Sequence, residues 1–367
     1  MTNLLYIVSS AKKCGPMNVL YNIVKHLDNN KFNIHLLELS SSNDEVFKQS
    51  LVNIGVKVHS LNNSRIKGIF SNKKQVYEYI HKNNINIVHC HGLRADSVIA
   101  SLKAKLPCKC ITTIHNRIIE DYSASYGETL GKIIARKHVQ AIKKLDIVVS
   151  CSQSVRSYIK EKYNIKSVCV LNGIDNEYFN SIGKRKELRR ELGLNEDNKI
   201  FLFCGGLIQV KNPVLAVKGF LEANVKNTLL IILGDGDLRD EINTLIGDNK
   251  NILLKGHVID VLKYLQSSDI YLSTSESEGM PNAVLEAMST GLPCILSDID
   301  SHKEINNMNG DVFIFEKDNY KELAKCIKEI CSEKKLITTS EKNKKLAKEI
   351  FGSNVMAEQY KEIYLER

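Results

Sequence analysis

The chain has 367 residues, 43% of them hydrophobic and 25% charged, with a formal net charge of +9. That is enough for two domains of ordinary size in a composition that suits a globular protein, which excludes a disordered or fibrous one. The start of the chain holds too short an apolar run for a secretion signal, and no segment approaches the roughly 18 uninterrupted apolar residues of a membrane span, so a cytoplasmic protein is expected.

Leu4–Ser9 reads as a short apolar strand that runs into Ser10-Ala11-Lys12-Lys13-Cys14-Gly15-Pro16. Val19, Leu20, Ile23, Val24 and Leu27 then recur at helical spacing and predict a helix over Met17–Leu27. Strand, glycine turn and helix make a phosphate-compatible corner, because a helix start offers free N–H groups and the positive end of its dipole. It is not a dinucleotide fingerprint, since Gly-x-Gly-x-x-Gly is absent, nor a P-loop, since no Gly-Lys-Ser/Thr follows. The alternation continues with strands at Ile34–Leu39, Val56–Leu61 and Ile85–His89 and helices at Glu45–Ile54 and Lys74–His81. Beyond these come Ala95–Ala104, Cys110–Ile114, Lys132–Lys144, Leu145–Ser150, Gln153–Glu161 and Val168–Leu171. Repeated units of this kind imply an α/β fold with a doubly wound, mostly parallel sheet, whose ligands gather at the carboxyl ends of strands.

Two histidine clusters fall at such ends. His89-Cys90-His91-Gly92-Leu93-Arg94 places two histidines two residues apart, but no third ligand is spaced to join them. Polar loop residues lining a cleft are the preferred reading, and no metal is expected. The ten cysteines stand singly or as Cys108-Lys109-Cys110, which suits reduced, buried thiols. The second cluster is Thr112-Thr113-Ile114-His115-Asn116-Arg117, where a lone histidine is more often structural than functional. Gly131–Leu145 combines Ile133, Ile134, Ile142 and Leu145 with Lys132, Arg136, Lys137, Lys143 and Lys144. It reads either as an amphipathic helix for an anionic bilayer or as a packed helix with a solvated basic face.

Asn172-Gly173-Ile174-Asp175 marks a turn, and the charged stretch to Asn195 suits a domain boundary near 180–195. Residues 1–180 carry 25 Lys and Arg against 13 Asp and Glu, whereas 181–367 carry 26 against 29. The basic excess of the first half fits an anionic membrane surface or a phosphorylated substrate, or reflects a lysine-rich composition; nucleic acid is not expected, because no recognition motif accompanies the charge. Past the boundary, Ile200–Cys204 reads as a strand followed by Gly205-Gly206, and a helix is expected from Val214 after Pro213. Lys211 precedes that helix, where it can pair with a diphosphate. Leu229–Leu233 leads into Gly234-Asp235-Gly236, and Asn251–Gly256 into His257-Val258.

The most informative stretch is Ser273–Ser297, STSESEGMPNAVLEAMSTGLPCILS. Short apolar runs at Ile270–Leu272 and Cys294–Leu296 bracket a helix that starts at Pro281 and stops at Gly291-Leu292-Pro293. Glu278 lies in the turn and Glu286 on the helix, with seven residues between them. Taken alone, two glutamates at this spacing are better explained as ordinary surface residues.

EGMPNAVLEAMSTGLPCILSD closely resembles the Glu-x7-Glu motif of family 4 of the retaining glycosyltransferases, and NGID followed by Phe179 resembles the family's hinge. The resemblance covers nearly the whole chain and is most specific in 172–300. It implies the GT-B fold: two Rossmann-like domains facing across a cleft, with domains at 1–180 and 181–350 and a last helix, 351–367, returning to the first. It further implies that His115, Lys211 and Glu278 are catalytic. Gly15, Gly205, Val258, Gly279, Met280, Pro281, Asn282 and Glu286 would bind the donor, with Val258 at the base and Glu286 on the ribose. Two departures stand out. Pro16 replaces a second glycine in the first loop, and Gly206 stands where the family places an arginine on the diphosphate, so Lys211 carries more of that charge or another basic residue helps.

The expected reaction is transfer of a sugar, with retention, from a UDP- or GDP-linked donor to a glycan or lipid-linked acceptor, as in capsule or O-antigen assembly. No further cofactor is implied, and lysine and helix dipoles supply the positive charge without a metal. A soluble acceptor, a nucleotide-sugar epimerase and a binding module without turnover are the competing readings.

Overall fold

The computed structural model describes residues 1–63, 65–181, 183–310, 312–331 and 333–366, and of 65–70 and 333–340 the backbone alone. The chain divides into two compact units, Met1–Gly173 with Ser353–Arg367, and Ile174–Gly352.

The first unit runs β1 (Thr2–Val8), α1 (Gly15–Lys25), β2 (Phe32–Glu38), α2 (Glu45–Asn53), β3 (Lys57–Ser60), α3 (Arg65–Lys82) and β4 (Ile87–His91). It continues with α4 (Leu93–Leu102), β5 (Lys109–Ile114), α5 (Ile118–Tyr126), α6 (Glu128–Ile142), β6 (Ile147–Ser150), α7 (Gln153–Tyr163) and β7 (Val168–Cys169). The strands form one parallel seven-stranded sheet in the order β3-β2-β1-β4-β5-β6-β7. Period-two alternation splits β1 between two cores. Leu4, Tyr6 and Val8 join Leu20, Ile23 and Val24 of α1, whereas Leu5 and Ile7 join Val76 and Ile80 of α3 and Ile99 of α4.

The second unit runs α8 (Arg185–Glu191), β8 (Lys199–Cys204), α9 (Pro213–Ala223), β9 (Thr228–Leu233), α10 (Arg239–Ile246), β10 (Ile252–Gly256), α11 (Val261–Ser267) and β11 (Ile270–Ser273). Then follow α12 (Asn282–Ser289), β12 (Cys294–Ser297), α13 (Asp300–Asn307), β13 (Phe313–Phe315), α14 (Tyr320–Ile330) and α15 (Glu333–Glu349). Its parallel sheet has the order β10-β9-β8-β11-β12-β13. The last helix, α16 (Ser353–Leu365), belongs to the first unit, where Met356, Tyr360, Ile363 and Tyr364 lie in the core beside β1.

Several elements differ from the reading of the sequence. Helix α1 starts at Gly15, with Pro16 in its first turn, where a missing N–H costs nothing. Strand β4 extends to His91, so both histidines of the first cluster lie on a buried strand and not in a loop. Helices α5 and α8 were not expected, and neither has an apolar stripe to betray it. Helix α8 is anchored by a buried Arg189, which donates to the carbonyls of Ser267, Glu196 and Asn198 and pairs with Asp269 at 2.5 Å.

Candidate functional site

Both sheets reverse direction of winding once, between β1 and β4 and between β8 and β11. Loops leaving the two strands at such a point diverge and open a crevice at the carboxyl ends, where α/β folds bind ligands. In the second unit the β8 loop carries Gly205, Gly206 and Lys211, and the β11 loop carries Thr274 to Pro281. A third loop closes in from β9. A Cβ on Gly234, at φ +133°, would lie 1.8 Å from the Gly205 carbonyl oxygen, so only glycine allows this approach. Leu207 N–H donates to Asp235 O at 3.0 Å and Leu238 N–H to Leu207 O at 2.9 Å, which fastens the two loops together.

Lys211 ends a short 3-10 turn before α9, and its side chain reaches Oε1 of Glu278. The Ser275 hydroxyl donates to the same oxygen at 2.8 Å. Beneath them the Thr274 hydroxyl bonds the carbonyls of Lys211 (3.0 Å) and Asn212 (2.7 Å), and Glu276 N–H bonds Val210 O at 2.8 Å. Burial alone would raise the Glu278 carboxyl, whose side chain is 12% exposed. The Lys211 charge and the bonds from Lys211 and Ser275 outweigh it and hold the group below its ordinary range, as an anion. This part of the crevice is a positively and negatively charged pair held on a rigid double loop.

Gly279 and Met280 are buried behind Glu278, and Pro281 is the residue before α12, whose first helical residue is Asn282. The helix is therefore two turns long, shorter than the spacing Pro281 to Gly291 suggests, because Pro281 caps it from outside. Glu286 lies in its second turn, and Val258 sits half-buried in the turn after β10. Behind the loop lies His302 of α13, fully buried, with Nδ1 2.8 Å from the Ser297 carbonyl; burial pushes its ring down to about 4.

In the first unit Gly15 is exposed at the N-terminus of α1, at the β1 side of the switch point. On the other side, His91 Nδ1 lies 2.8 Å from His115 Nε2, with the rings 5.0 Å apart and stacked. Burial lowers His115 to about 4 and, with the neighbouring rings, takes His91 well below its ordinary value, so both are neutral. His89 is spent on the core: its two nitrogens meet Tyr364 Oη (2.7 Å) and Thr113 Oγ1 (2.8 Å). Helix α6 buries Ala135, His138, Val139, Ala141 and Ile142, so the apolar side of the basic helix is spent on packing. The apolar side chains left outside are Tyr126, Leu130 and Ile133.

Residues 184–350 match the sequence pattern of the group 1 glycosyl transferases, and residues 15–178 that of glycosyltransferase family 4. The chain belongs to glycosyltransferase family 4. The Escherichia coli O-antigen biosynthesis glycosyltransferase WclY is 28% identical over 366 residues, spanning 98% of this chain and 97% of its own. The UDP-Gal:alpha-D-GlcNAc-diphosphoundecaprenol alpha-1,3-galactosyltransferase of the same species is 30% identical over 254 residues, 66% of this chain and 65% of its own. Among solved structures, Anabaena HepE in complex with UDP-glucose aligns with a TM-score of 0.84 at 17% identity, over 99% of both chains, and supports the GT-B fold.

In this glycosyltransferase the crevice of the second unit brings together Gly205, Lys211, Glu278, Gly279, Met280 and Pro281, and α12 adds Asn282 and Glu286. Ser275 and Thr274 escaped the sequence reading although they hold Glu278 and Lys211 in place; the only available signal was their position between β11 and the glutamate. No group of three or more His, Cys, Asp or Glu among the described residues is placed to hold a metal ion. No helix among them is long and apolar enough to cross a membrane.

Proposed function

We propose that this glycosyltransferase moves a sugar, with retention, from a UDP- or GDP-linked donor to a hydroxyl of a lipid-linked glycan in the assembly of a surface polysaccharide. The observation that carries the donor side is the Lys211–Glu278 pair, set at the switch point in front of the N-terminus of α12. A diphosphate placed there meets the Lys211 ammonium and the first N–H groups of the helix, which stabilise charge as the nucleotide departs. Glu278 then takes hydroxyls of the donor sugar, and Glu286 those of the ribose. His115, neutral, offers a hydrogen bond to a sugar hydroxyl. The acceptor oxygen bonds to the anomeric carbon on the face from which the diphosphate leaves; the bonding pair departs with the diphosphate, and a phosphate oxygen takes the acceptor proton.

The lipid-linked acceptor rests on the relatives in O-antigen assembly and on the basic first half. Tyr126, Leu130 and Ile133 stand outside the fold at the α5–α6 corner, beside Lys132, Arg136 and Lys137, a combination suited to a peripheral contact with anionic lipid.

The test is nucleotide release from UDP-, GDP- and ADP-sugars, with and without membrane lipid extract, by wild type and Glu278→Ala. Release from one donor that rises with lipid and collapses in the variant is the expected result. Isomerised donor without nucleotide release would overturn the reading in favour of an epimerase.

A further inference from the structure

The end of β12 lies against the loop that carries Glu278, and a run of buried polar groups makes the contact. The Ser297 hydroxyl donates to the Ser275 carbonyl at 2.6 Å, and the Ser275 hydroxyl donates to Oε1 of Glu278 at 2.8 Å. Behind Ser297 stands His302 of α13, with Nδ1 2.8 Å from the Ser297 carbonyl and 3.3 Å from its hydroxyl oxygen. Ser275, Ser297 and His302 are all buried. We propose that His302 is a positioning residue for Glu278, acting through Ser297 and Ser275. The inference deepens the transfer reaction proposed above and rests on it for what Glu278 does to the donor sugar.

The direction of the run follows from its two ends. Burial keeps the His302 ring neutral, and a carbonyl oxygen only accepts, so the ring proton sits on Nδ1 and Nε2 is an acceptor. Nε2 is buried with no partner among the described residues, as suits a bare acceptor better than a bare N–H. Nδ1–H therefore faces both oxygens of Ser297, and the Ser297 hydroxyl, with a donor behind it, turns its own proton to the Ser275 carbonyl. At the far end Glu278 is an anion and only accepts, so Ser275 gives it the hydroxyl proton. Each hydrogen of the run points toward Glu278.

The run ties down a stretch that the sheet does not reach. Backbone pairing of β11 with β12 ends at Ser273 opposite Leu296, and the Ser297 hydroxyl carries the tie on to Ser275. Thr274, between them, bonds instead to the carbonyls of Lys211 and Asn212 in the β8 loop. The loop is thus clamped from two sides, and Glu278 takes Lys211 from one and Ser275 from the other. The Ser297 carbonyl also accepts from Ile299 N–H at 2.9 Å, so the turn after β12 closes without the ring. What His302 adds is the orientation of the Ser297 hydroxyl, and through it the aim of the carboxylate.

Two measurements on the full chain test this. In the first, carbon NMR of protein labelled at its glutamate side-chain carboxyls follows Glu278 against pH, its signal assigned by its loss in Glu278→Gln. His302→Leu and Ser297→Ala, the latter removing a single buried oxygen, should each move the Glu278 titration upward, because the anion loses part of its support. His302→Asn, which keeps a donor for Ser297, should bring it back. A purely structural role of the ring lowers Tm in these variants without that return. No turnover is needed, so failure here is distinct from failure of the transfer reading. A Glu278 titration left in place by Ser297→Ala and His302→Leu, or moved as far by His302→Asn as by His302→Leu, would overturn the proposal. In the second, nucleotide release from UDP-, GDP- and ADP-sugars is measured. Ser297→Ala and His302→Leu should lower kcat about tenfold, the worth of one buried hydrogen bond, at a donor KM that stays within about twofold. His302→Asn should recover most of the loss, and an unchanged kcat in Ser297→Ala and His302→Leu would overturn the role of His302 in the reaction.

Discussion

The Lys211 ammonium rests on Oε1 of Glu278, joining two switch-point loops across 67 residues of sequence. Ser275 donates to that same oxygen, so both bonds converge on Oε1, and Oε2 accepts none among the described residues. The carboxylate is thus fixed by one oxygen and presented by the other. Lys211, 30% exposed, remains reachable by an arriving diphosphate that competes with the carboxylate for it.

Removing either charge should therefore slow nucleotide release strongly and non-additively. Lys211→Met and Glu278→Gln are each expected to lower kcat by about 10²–10³, the range for loss of one preorganised electrostatic contact. The double variant should fall little below the worse single one, because the two groups act as one unit. Steady-state kinetics of the four proteins form the cycle. Strictly additive losses would show that the pair is not a functional unit.

Two glycines of the same crevice should respond in opposite ways. A methyl on Gly234 collides with the Gly205 carbonyl at 1.8 Å and demands a side chain at φ +133°, whereas a methyl on Gly205 meets only Lys211 and Phe203 side-chain carbons, at 3.8 Å. Gly234→Ala should cost about 2 kcal/mol or more of stability, and Gly205→Ala about 0.5 kcal/mol or less. Urea denaturation measures both. Equal costs would mean that the β9 loop yields easily and does not shape the crevice.

These loops also show what the sequence displays and what it hides. Apolar runs bounded by glycine and proline mark nearly every strand, because a buried parallel strand is apolar on both faces. The Glu278–Glu286 spacing, with Gly279 and Pro281, marks the crevice of the second unit. Ser275, His302, Asp96 and His138 leave no such trace: each is a buried polar group, with its partner three residues away for Ser275, five for His302 and 42 for the Asp96–His138 pair, and burial of one polar side chain disturbs no period. His89 illustrates the misreading that follows. Two histidines after an apolar run look like the start of a loop, yet His89 is paired with Tyr364, 275 residues away, and the strand runs on through it.

His302 should make the second unit sensitive to mild acid. Its ring is held down to about 4 by burial, against about 6.5 in an unfolded chain. Between these values the unfolded chain binds the extra proton, so stability is complete above about pH 6.5 and declines as the pH falls toward 4. The loss at pH 5 amounts to about 2 kcal/mol for one ring. His302→Asn, which keeps a donor for the Ser297 carbonyl, should flatten that part of the profile in urea denaturation between pH 7 and 5. An unchanged slope would show that the ring protonates freely in the folded state.

Membrane contact is expected to depend on the α5–α6 corner. Wild type should sediment with vesicles containing anionic phospholipid and much less with neutral ones, the difference shrinking as salt rises. Lys132→Glu with Lys137→Glu should abolish the difference, and Leu130→Ser with Ile133→Ser should weaken binding at every salt concentration. These side chains are exposed, so the variants should fold normally. Undiminished binding by the charge variant would move the contact elsewhere.

The two tyrosines of α16 offer an unequal pair of substitutions that measures how firmly the chain's end is built into the first unit. Tyr364 Oη joins Tyr6 Oη at 2.8 Å and His89 Nδ1 at 2.7 Å, all of them buried. Tyr364→Phe leaves two buried polar groups without that partner and is expected to cost about 2–4 kcal/mol. Among the described residues Tyr360 Oη meets only Thr113 Oγ1, at 2.8 Å, and that oxygen keeps its bond to His89 Nε2. Tyr360→Phe should therefore cost no more than about 1 kcal/mol, although Tyr360 is the more deeply buried of the two rings. Urea denaturation of both variants decides it. Should Tyr360→Phe prove the more damaging, packing and not the hydrogen-bond chain through His89 would be what secures α16 to the sheet.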